Sequence, residues 1–324
     1  IDTIIKNDFF EHVALVTDDS MPDTLLHSHL NALVKKAIDM GMTPEQAIYI
    51  STYSPARHMG LWDRGSIAPG RIADFIILDN PRTLSINTVY KNGLPIENKF
   101  KKSDYQFLPS LRSSVKAPKL EINDFKLKTD LINNGQVVAN VIQINPVGTF
   151  TNHIKVKLEV KNHEVQWKKA NLNLIMVQDR YGKNNGNYTL GLVDRGISKD
   201  GAVGATWAHD HHNIMIMGTN IKAMLKIQHQ LIDEQGGYVV AKGDEIIEDA
   251  PLPIGGVVSD EPMTKLGEKI SNIRHTLQDL GYKNTNEIMS FSTLSLLVSP
   301  QIKISDKGLF DVKSQEKIPL FEKL

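Results

Sequence analysis

The chain has no cysteine, so neither a disulfide nor a thiolate metal site can form. That composition suits a reducing cytoplasm, where we expect the protein. It has no charge bias either. Lys+Arg and Asp+Glu stand at 37 each, which removes the bulk-charge argument for nucleic acid or for an anionic membrane as a partner. No apolar run is long enough to span a bilayer. The opening residues, Ile1 to Asp8, have neither the basic start nor the small-residue pair of a signal peptide. No initiator Met opens the chain, so it reads as part of something longer. At 324 residues it should hold two domains and can bury a sizeable core.

What is present begins with His12-Val13-Ala14-Leu15-Val16-Thr17-Asp18-Asp19. A short β-rich run that stops at two adjacent acids is how a parallel barrel delivers a ligand or a base to its active face. No barrel precedes it, because only eleven residues come before His12. Chemically, one carboxylate of the pair can ligate a divalent cation and take a proton from water, while the other hydrogen-bonds a ring nitrogen of a substrate. The alternative is a helix N-cap, since Asp18-Asp19-Ser20 comes just before a helical pattern. A metal needs three or more ligands, and no others stand in this stretch.

The spacing of Leu26, Leu30, Leu33, Val34, Ala37 and Ile38 predicts a helix starting near Pro22 and stopping at Gly41. Thr43-Pro44-Glu45-Gln46 reads as a capping box opening a second helix, and Ser54-Pro55 as the start of a third that ends at Gly60. Phe75-Ile76-Ile77-Leu78 is a buried-strand run, and Asn92-Gly93 marks a hairpin turn. Residues 101–118, with Lys101-Lys102-Ser103, Pro109, Ser113-Ser114 and Pro118, read as a connector.

Beyond 119 the pattern alternates. Strands are expected at Gln136 to Ile144, His153 to Val160, Leu172 to Val177, Ile214 to Met217, Tyr238 to Ala241 and Leu294 to Val298, with helices at Ile221 to Gln235 and Thr264 to Leu280. This argues an α/β sandwich. The glycine-rich stretch from Gly191 to Gly204 is expected to be a mobile loop.

Gly65-Ser66-Ile67-Ala68-Pro69-Gly70-Arg71-Ile72-Ala73-Asp74-Phe75-Ile76-Ile77-Leu78 resembles the closing signature of the amidohydrolase superfamily, G-x-I-x-x-G-x-x-A-D-x-x-x-L. Four later motifs resemble those of the bacterial adenine deaminase family. They are Asp179-Arg180-Tyr181-Gly182, Ala208-His209-Asp210-His211-His212-Asn213, Pro251-Leu252-Pro253-Ile254-Gly255-Gly256 and Ser259-Asp260-Glu261-Pro262. Thr17-Asp18-Asp19 matches that family's end-of-barrel motif, and the helix bearing His29 follows as the family has it.

The resemblance implies an α/β protein in four parts. Residues 1–64 would be the last strand and closing helices of a metal-dependent (β/α)8 barrel, and 65–100 a β segment of the composite domain. The 101–118 linker and a separate α/β carboxy-terminal domain at 119–324 would follow. It also implies hydrolytic deamination of adenine to hypoxanthine and ammonia by the complete protein, with a divalent metal (Mn, Fe or Zn). Asp18 would be a metal ligand and proton carrier, and Asp19 would orient the base or a neighbouring ligand. The H-x-H pair and the central-strand ligands that the resemblance requires are absent here. The missing amino-terminal barrel portion is therefore an expected partner and this chain alone is expected to be inactive, with a homo-oligomer as the expected assembly. Alternatives are an amidohydrolase for another small nitrogenous ring, and a non-catalytic binding module.

His209, Asp210, His211 and His212 put three histidines and an acid in four residues. On a strand, His209 and His211 would share one face and Asp210 and His212 the other. Within the family pattern His209, Asp210 and His212 are the matching members and His211 fills the variable slot. Three readings stay open: a place at the substrate mouth near Asp18, of the same chain or a symmetry mate; a separate metal; or a closure of the carboxy-terminal domain on itself, with Asp210 held by Arg180. His29 and Arg180 are further substrate-mouth candidates.

Overall fold

Thr43 accepts the backbone N–H of Gln46 through its hydroxyl, and Gln46 returns the bond to the Thr43 N–H. The capping box therefore forms as the sequence predicts, and with Pro44 at the first position it starts a fifteen-residue helix. The computed structural model describes residues 1–96, 105–183 and 185–324. The described chain divides into two units, Ile1–Tyr105 and Gln106–Leu324.

The first unit contains α1 (Asp2–Lys6), α2 (Pro22–Leu25), α3 (Leu30–Asp39), α4 (Pro44–His58), β1 (Phe75–Asn80), β2 (Ser85–Lys91) and β3 (Leu94–Pro95). Val34, Ala37, Met42, Ala47 and Ile50 form its helical core. The helix expected from Pro22 to Ile38 is two helices, because the chain departs from helical geometry at His29 (φ −142°). Gly41 (φ +108°) closes α3 by a Schellman pattern, in which the Met42 N–H reaches the Ala37 carbonyl at 3.2 Å and the Gly41 N–H reaches Ile38 at 2.9 Å. The two helices expected at 44 and 54 are one, with Pro55 inside α4. Asn92 and Gly93 both take positive φ and join β2 to β3, as the Asn-Gly signal requires.

The strand expected at His12 to Thr17 is absent. His12 ends a 3-10 turn, Val13 is extended, and residues 13–17 join no ladder. Leu15 donates to the Ile50 carbonyl of α4 at 2.7 Å instead. A strand exists only beside a hydrogen-bonded neighbour, and the described residues offer none here. No barrel is formed by the described residues.

The second unit is built on a ten-stranded sheet. In chain order its strands are β4 (Gly135–Ile144), β5 (Thr151–Lys161), β6 (Glu164–Val165), β7 (Asn173–Gln178), β8 (Tyr188–Asp194), β9 (Gly201–Ala205), β10 (Ile214–Gly218), then β11 (Gly237–Lys242) and β12 (Glu245–Pro251). Helices α5 (Ile221–Asp233), α6 (Met263–Asp279) and α7 (Glu287–Ser292) accompany them. A second sheet of β13 (Ile302–Ser305), β14 (Gly308–Asp311) and β15 (Glu316–Ile318) follows, and β16 (Phe321–Lys323) returns to pair with β4. The large sheet runs β12-β11-β9-β10-β7-β8-β4-β5-β6, and every pairing is antiparallel except β4 with β8. The unit is thus mixed α and β around a large, mostly antiparallel sheet.

That sheet is covered on both faces, which is why β7, β9 and β10 are buried along their whole length. Alternate side chains point to opposite faces. Leu174, Met176, Ile214 and Ile216 share one core with Ala223, Met224 and Ile227 of α5. Ile175 and Gly191 point the other way, and a Cβ on Gly191 would meet Ile304 of β13 at 2.7 Å. A Cβ on Gly204 would meet Ile227 at 2.5 Å. The expected mobile loop is therefore largely two strands, β8 and β9, whose glycines admit close layers rather than motion. The strand expected at Leu294 to Val298 is instead a 3-10 turn at Thr293–Ser295 continuing α7, and the late strand lies at Ile302–Ser305.

Within the expected connector, Lys101-Lys102-Ser103 fall outside the described residues. Residues 106–118 belong to the second unit, with Val115 and Ala117 buried and the Val115 N–H donating to Gln235 at 3.0 Å. No helix of the described residues is long and apolar enough to cross a membrane.

Candidate functional site

Gln178, the last residue of β7, pairs with Ile214, the first of β10. That register sets Asp179-Arg180-Tyr181 beside the segment 207–213, so two motifs some thirty residues apart become neighbours at one end of the sheet. The Asn213 amide joins them. Its Oδ1 accepts from the Arg180 N–H at 3.3 Å, and its Nδ2 donates to Asp306 Oδ1 at 3.0 Å. Tyr181 donates its hydroxyl to the His211 carbonyl at 2.7 Å. The glycine motif joins from a third side, because Thr206 donates to the Gly256 carbonyl at 2.6 Å.

The histidine segment is a turn and not a strand, so the expected alternation of faces does not apply. It is pinned by main-chain contacts. The His209 N–H donates to the Ser292 carbonyl at 3.1 Å, Ser295 donates to the His209 carbonyl at 2.8 Å, and the His212 N–H donates to Ala208 at 2.7 Å. The His209 ring stands edge-on to Trp207, with centroids 4.6 Å apart, and 5.4 Å from the His212 ring. Asp210 is exposed and lies 3.4 Å from His209 Nδ1.

Arg180 does not pair with Asp210, the arrangement that one of the three readings required. Its guanidinium is buried and donates to Ser114 Oγ at 3.1 Å and to the Tyr181 hydroxyl at 3.2 Å, while stacking over the Tyr181 ring at 4.7 Å. Among the described residues it makes no ion pair, so a self-closing Asp210–Arg180 bridge is not the structure of this segment.

His211, the variable member, has the most defined state. The Asn213 N–H donates to its Nδ1 at 3.0 Å, which fixes the neutral tautomer with the hydrogen on Nε2. Burial, aided by the His212 ring, pushes its pKa down to about 4. The Nε2 atom is buried and has no hydrogen-bond partner among the described residues. Burial also raises the Asp306 carboxyl, with the Asp179 charge adding to it. Asn213 and Asp306 were not among the sequence candidates. Asn213 carried a signal, its fixed place immediately before a strand. Asp306 lies about a hundred residues from its partners and carried none.

In the first unit Asp18 and Asp19 are exposed. Asp18 has φ +54°, and its Oδ1 accepts the Asp19 N–H at 2.8 Å. The N-cap alternative fails, since Met21 occupies the N-cap of α2 and no side chain caps it. His29 is the N-cap residue of α3, exposed, with no side-chain capping bond. Among the described residues no three His, Asp or Glu side chains are grouped to hold a metal ion. Asp18 can offer one carboxylate, but this chain's described residues do not assemble a metal site, and the His209 segment is not one either.

Two family models match the chain. The model of the adenine deaminase C-terminal domain matches residues 148–316, and that of the amidohydrolase family matches residues 1–108. Among curated proteins, the adenine deaminase of Lactobacillus delbrueckii subsp. bulgaricus is 68% identical over 99% of this chain and 57% of its own length. Adenine deaminase 2 of Oenococcus oeni is 50% identical, over 99% of this chain and 56% of that protein. Adenine deaminase of Clostridium perfringens is 47% identical, over 99% and 57%. The chain therefore spans little more than half the length of these relatives.

Proposed function

We propose, from the premise that this chain belongs to the adenine deaminase C-terminal domain family, that the whole protein hydrolyses adenine to hypoxanthine and ammonia. The observation that carries this reading is the coincidence on one chain of the amidohydrolase match at 1–108 and the adenine deaminase C-terminal match at 148–316. In the reaction, water oxygen bonds to C6, the C6–N bond breaks, and a proton passes from water to the departing amine.

On this reading Asp18 carries that proton and gives one ligand to a divalent metal, Mn, Fe or Zn, whose other ligands come from the amino-terminal barrel portion. The metal supplies an activated water when bound. Asp19 hydrogen-bonds the base or steadies a neighbouring ligand. His209, Asp210 and His212 in the second unit, and separately His29 in the first, are candidates to meet substrate in the whole protein, with the buried Arg180 holding the 207–213 segment beside it. The division into 1–64, 65–100, 101–118 and 119–324 is part of the same proposal, as are a cytoplasmic location, a homo-oligomeric assembly and a place in purine metabolism.

Steady-state assay of the full-length protein against adenine and against other aminated heterocycles tests it. Hypoxanthine and ammonia released in equal amounts from adenine, with the other rings turned over at least about a hundredfold less efficiently, is the expected result. Turnover of another ring in preference to adenine favours the second amidohydrolase reading, and no turnover of any ring favours a binding module.

A further inference from the structure

A cleft of about 810 Å³ lies in the second unit, at the end of the sheet remote from the motif cluster. Asn173, which begins β7, and Thr219, which follows β10, both line it, whereas Gln178 and Asn213 lie at the opposite ends of those strands. At about 3.3 Å per residue, the two ends of the six-residue β7 are roughly 17 Å apart. The cleft is therefore distinct from the residues around Arg180 and His211. It falls within the usual volume for small-molecule sites, about 300–1,000 Å³.

Its charge is one-sided. Lys168, Arg195, Lys199 and Lys283 stand exposed along it. The two acids of the lining, Asp194 and Asp200, accept bonds from neighbouring amides and offset part of that charge. Asp194 accepts from Gln143 at 2.9 Å and lies 3.8 Å from Arg195 Nε, and Asp200 accepts from Asn220 at 3.2 Å. Lys168, Lys199 and Lys283 make no ion pair among the described residues. Lys168, Arg195, Lys199 and Lys283 outnumber Asp194 and Asp200, so the lining keeps a net positive charge, which the low-dielectric walls focus on whatever enters. The chain as a whole is neutral, so this excess is local. One wall is apolar, formed by Ile144 and the exposed Pro146, while Trp167 beneath it is buried with Lys168 Nζ 5.4 Å from its ring centroid.

We propose that this cleft binds a nucleoside monophosphate, with the phosphate among the three lysines, the planar base against the Pro146 wall, and sugar hydroxyls donating to Asp200. A phosphate answers the unpaired cations, and a bare anion would leave most of the cleft and its apolar wall unused. This site goes beyond the deamination reading and does not depend on it.

Titration calorimetry of the chain at low salt tests the proposal, with AMP, adenosine and inorganic phosphate as separate probes. AMP is expected to bind one to one, and adenosine and phosphate each about tenfold or more weaker. Lys199→Glu and Lys283→Glu, both at exposed positions, should weaken AMP at least about tenfold with an unchanged melting temperature, while Lys199→Arg should hold it within about threefold. No AMP binding, AMP affinity unmoved by both charge reversals, or phosphate binding as tightly as AMP overturns the proposal.

Discussion

Gly256 lies against the Arg180 guanidinium so closely that a Cβ there would fall 1.8 Å from Nη1. Its φ of +74° is also one that side chains rarely adopt. The glycine of the third motif thus makes room for the arginine of the first, and the two must be read together. Gly256→Ala should destabilise the chain by about 1–3 kcal/mol, from backbone strain plus displacement of a buried cation from Ser114 and Tyr181. The urea midpoint checks this, and an unchanged midpoint would show that Arg180 is not held as described.

His211 should make stability depend on pH. Its folded pKa of about 4 lies below the unfolded value of 6.5, so between these the unfolded chain binds the extra proton. Stability contributed by this group is full above the unfolded pKa and falls as pH drops from about 6.5 toward 4. The loss reaches at most about 3.5 kcal/mol, since a tenfold difference in proton affinity between the two states is worth about 1.4 kcal/mol. Carboxylates titrate in part of the same window, so the measurement is a difference. Urea unfolding of the parent and of His211→Gln at pH 4.5 and 7.5 should show a smaller loss in the variant. Equal losses would place His211 in water.

Metal binding by this chain alone should be weak. Asp18 offers one carboxylate, and the described residues hold no three-ligand group. Calorimetry with Mn²⁺ or Zn²⁺ should give no tight stoichiometric event. A tight one would contradict the view that the remaining ligands lie elsewhere in the whole protein.

Much of the local structure was legible because its determinants are local. Thr43 and Gln46, three residues apart, close a capping box, and Asn92-Gly93 supplies the two positive φ values its turn needs. The apolar runs of β7 and β10 were legible because the sheet is covered on both faces. What failed depended on distant partners. Residues 12–17 have strand composition but no neighbour to pair with among the described residues. Gly191 and Gly204 looked like loop glycines until Ile304 and Ile227, both far along the chain, packed against them. Pro55 looked like a helix start, and α4 runs through it. At the candidate site the motifs were readable, but their assembly was not. The β7–β10 register brings Arg180 to Asn213, and Asp306 arrives from a different sheet.

Hypoxanthine formation by the full-length protein carrying Asp18→Ala tests the central claim most directly. Asp18 is exposed, its carboxylate accepts the N–H of its own neighbour Asp19, and it caps no helix, so a structural role does not explain its place. If it carries the proton and one metal bond, the variant should fold, melt close to the parent, and retain well under about a tenth of the parent turnover, a barrier increase above about 1.4 kcal/mol. A well-folded variant that keeps more than about a tenth of the activity would contradict the role given to Asp18.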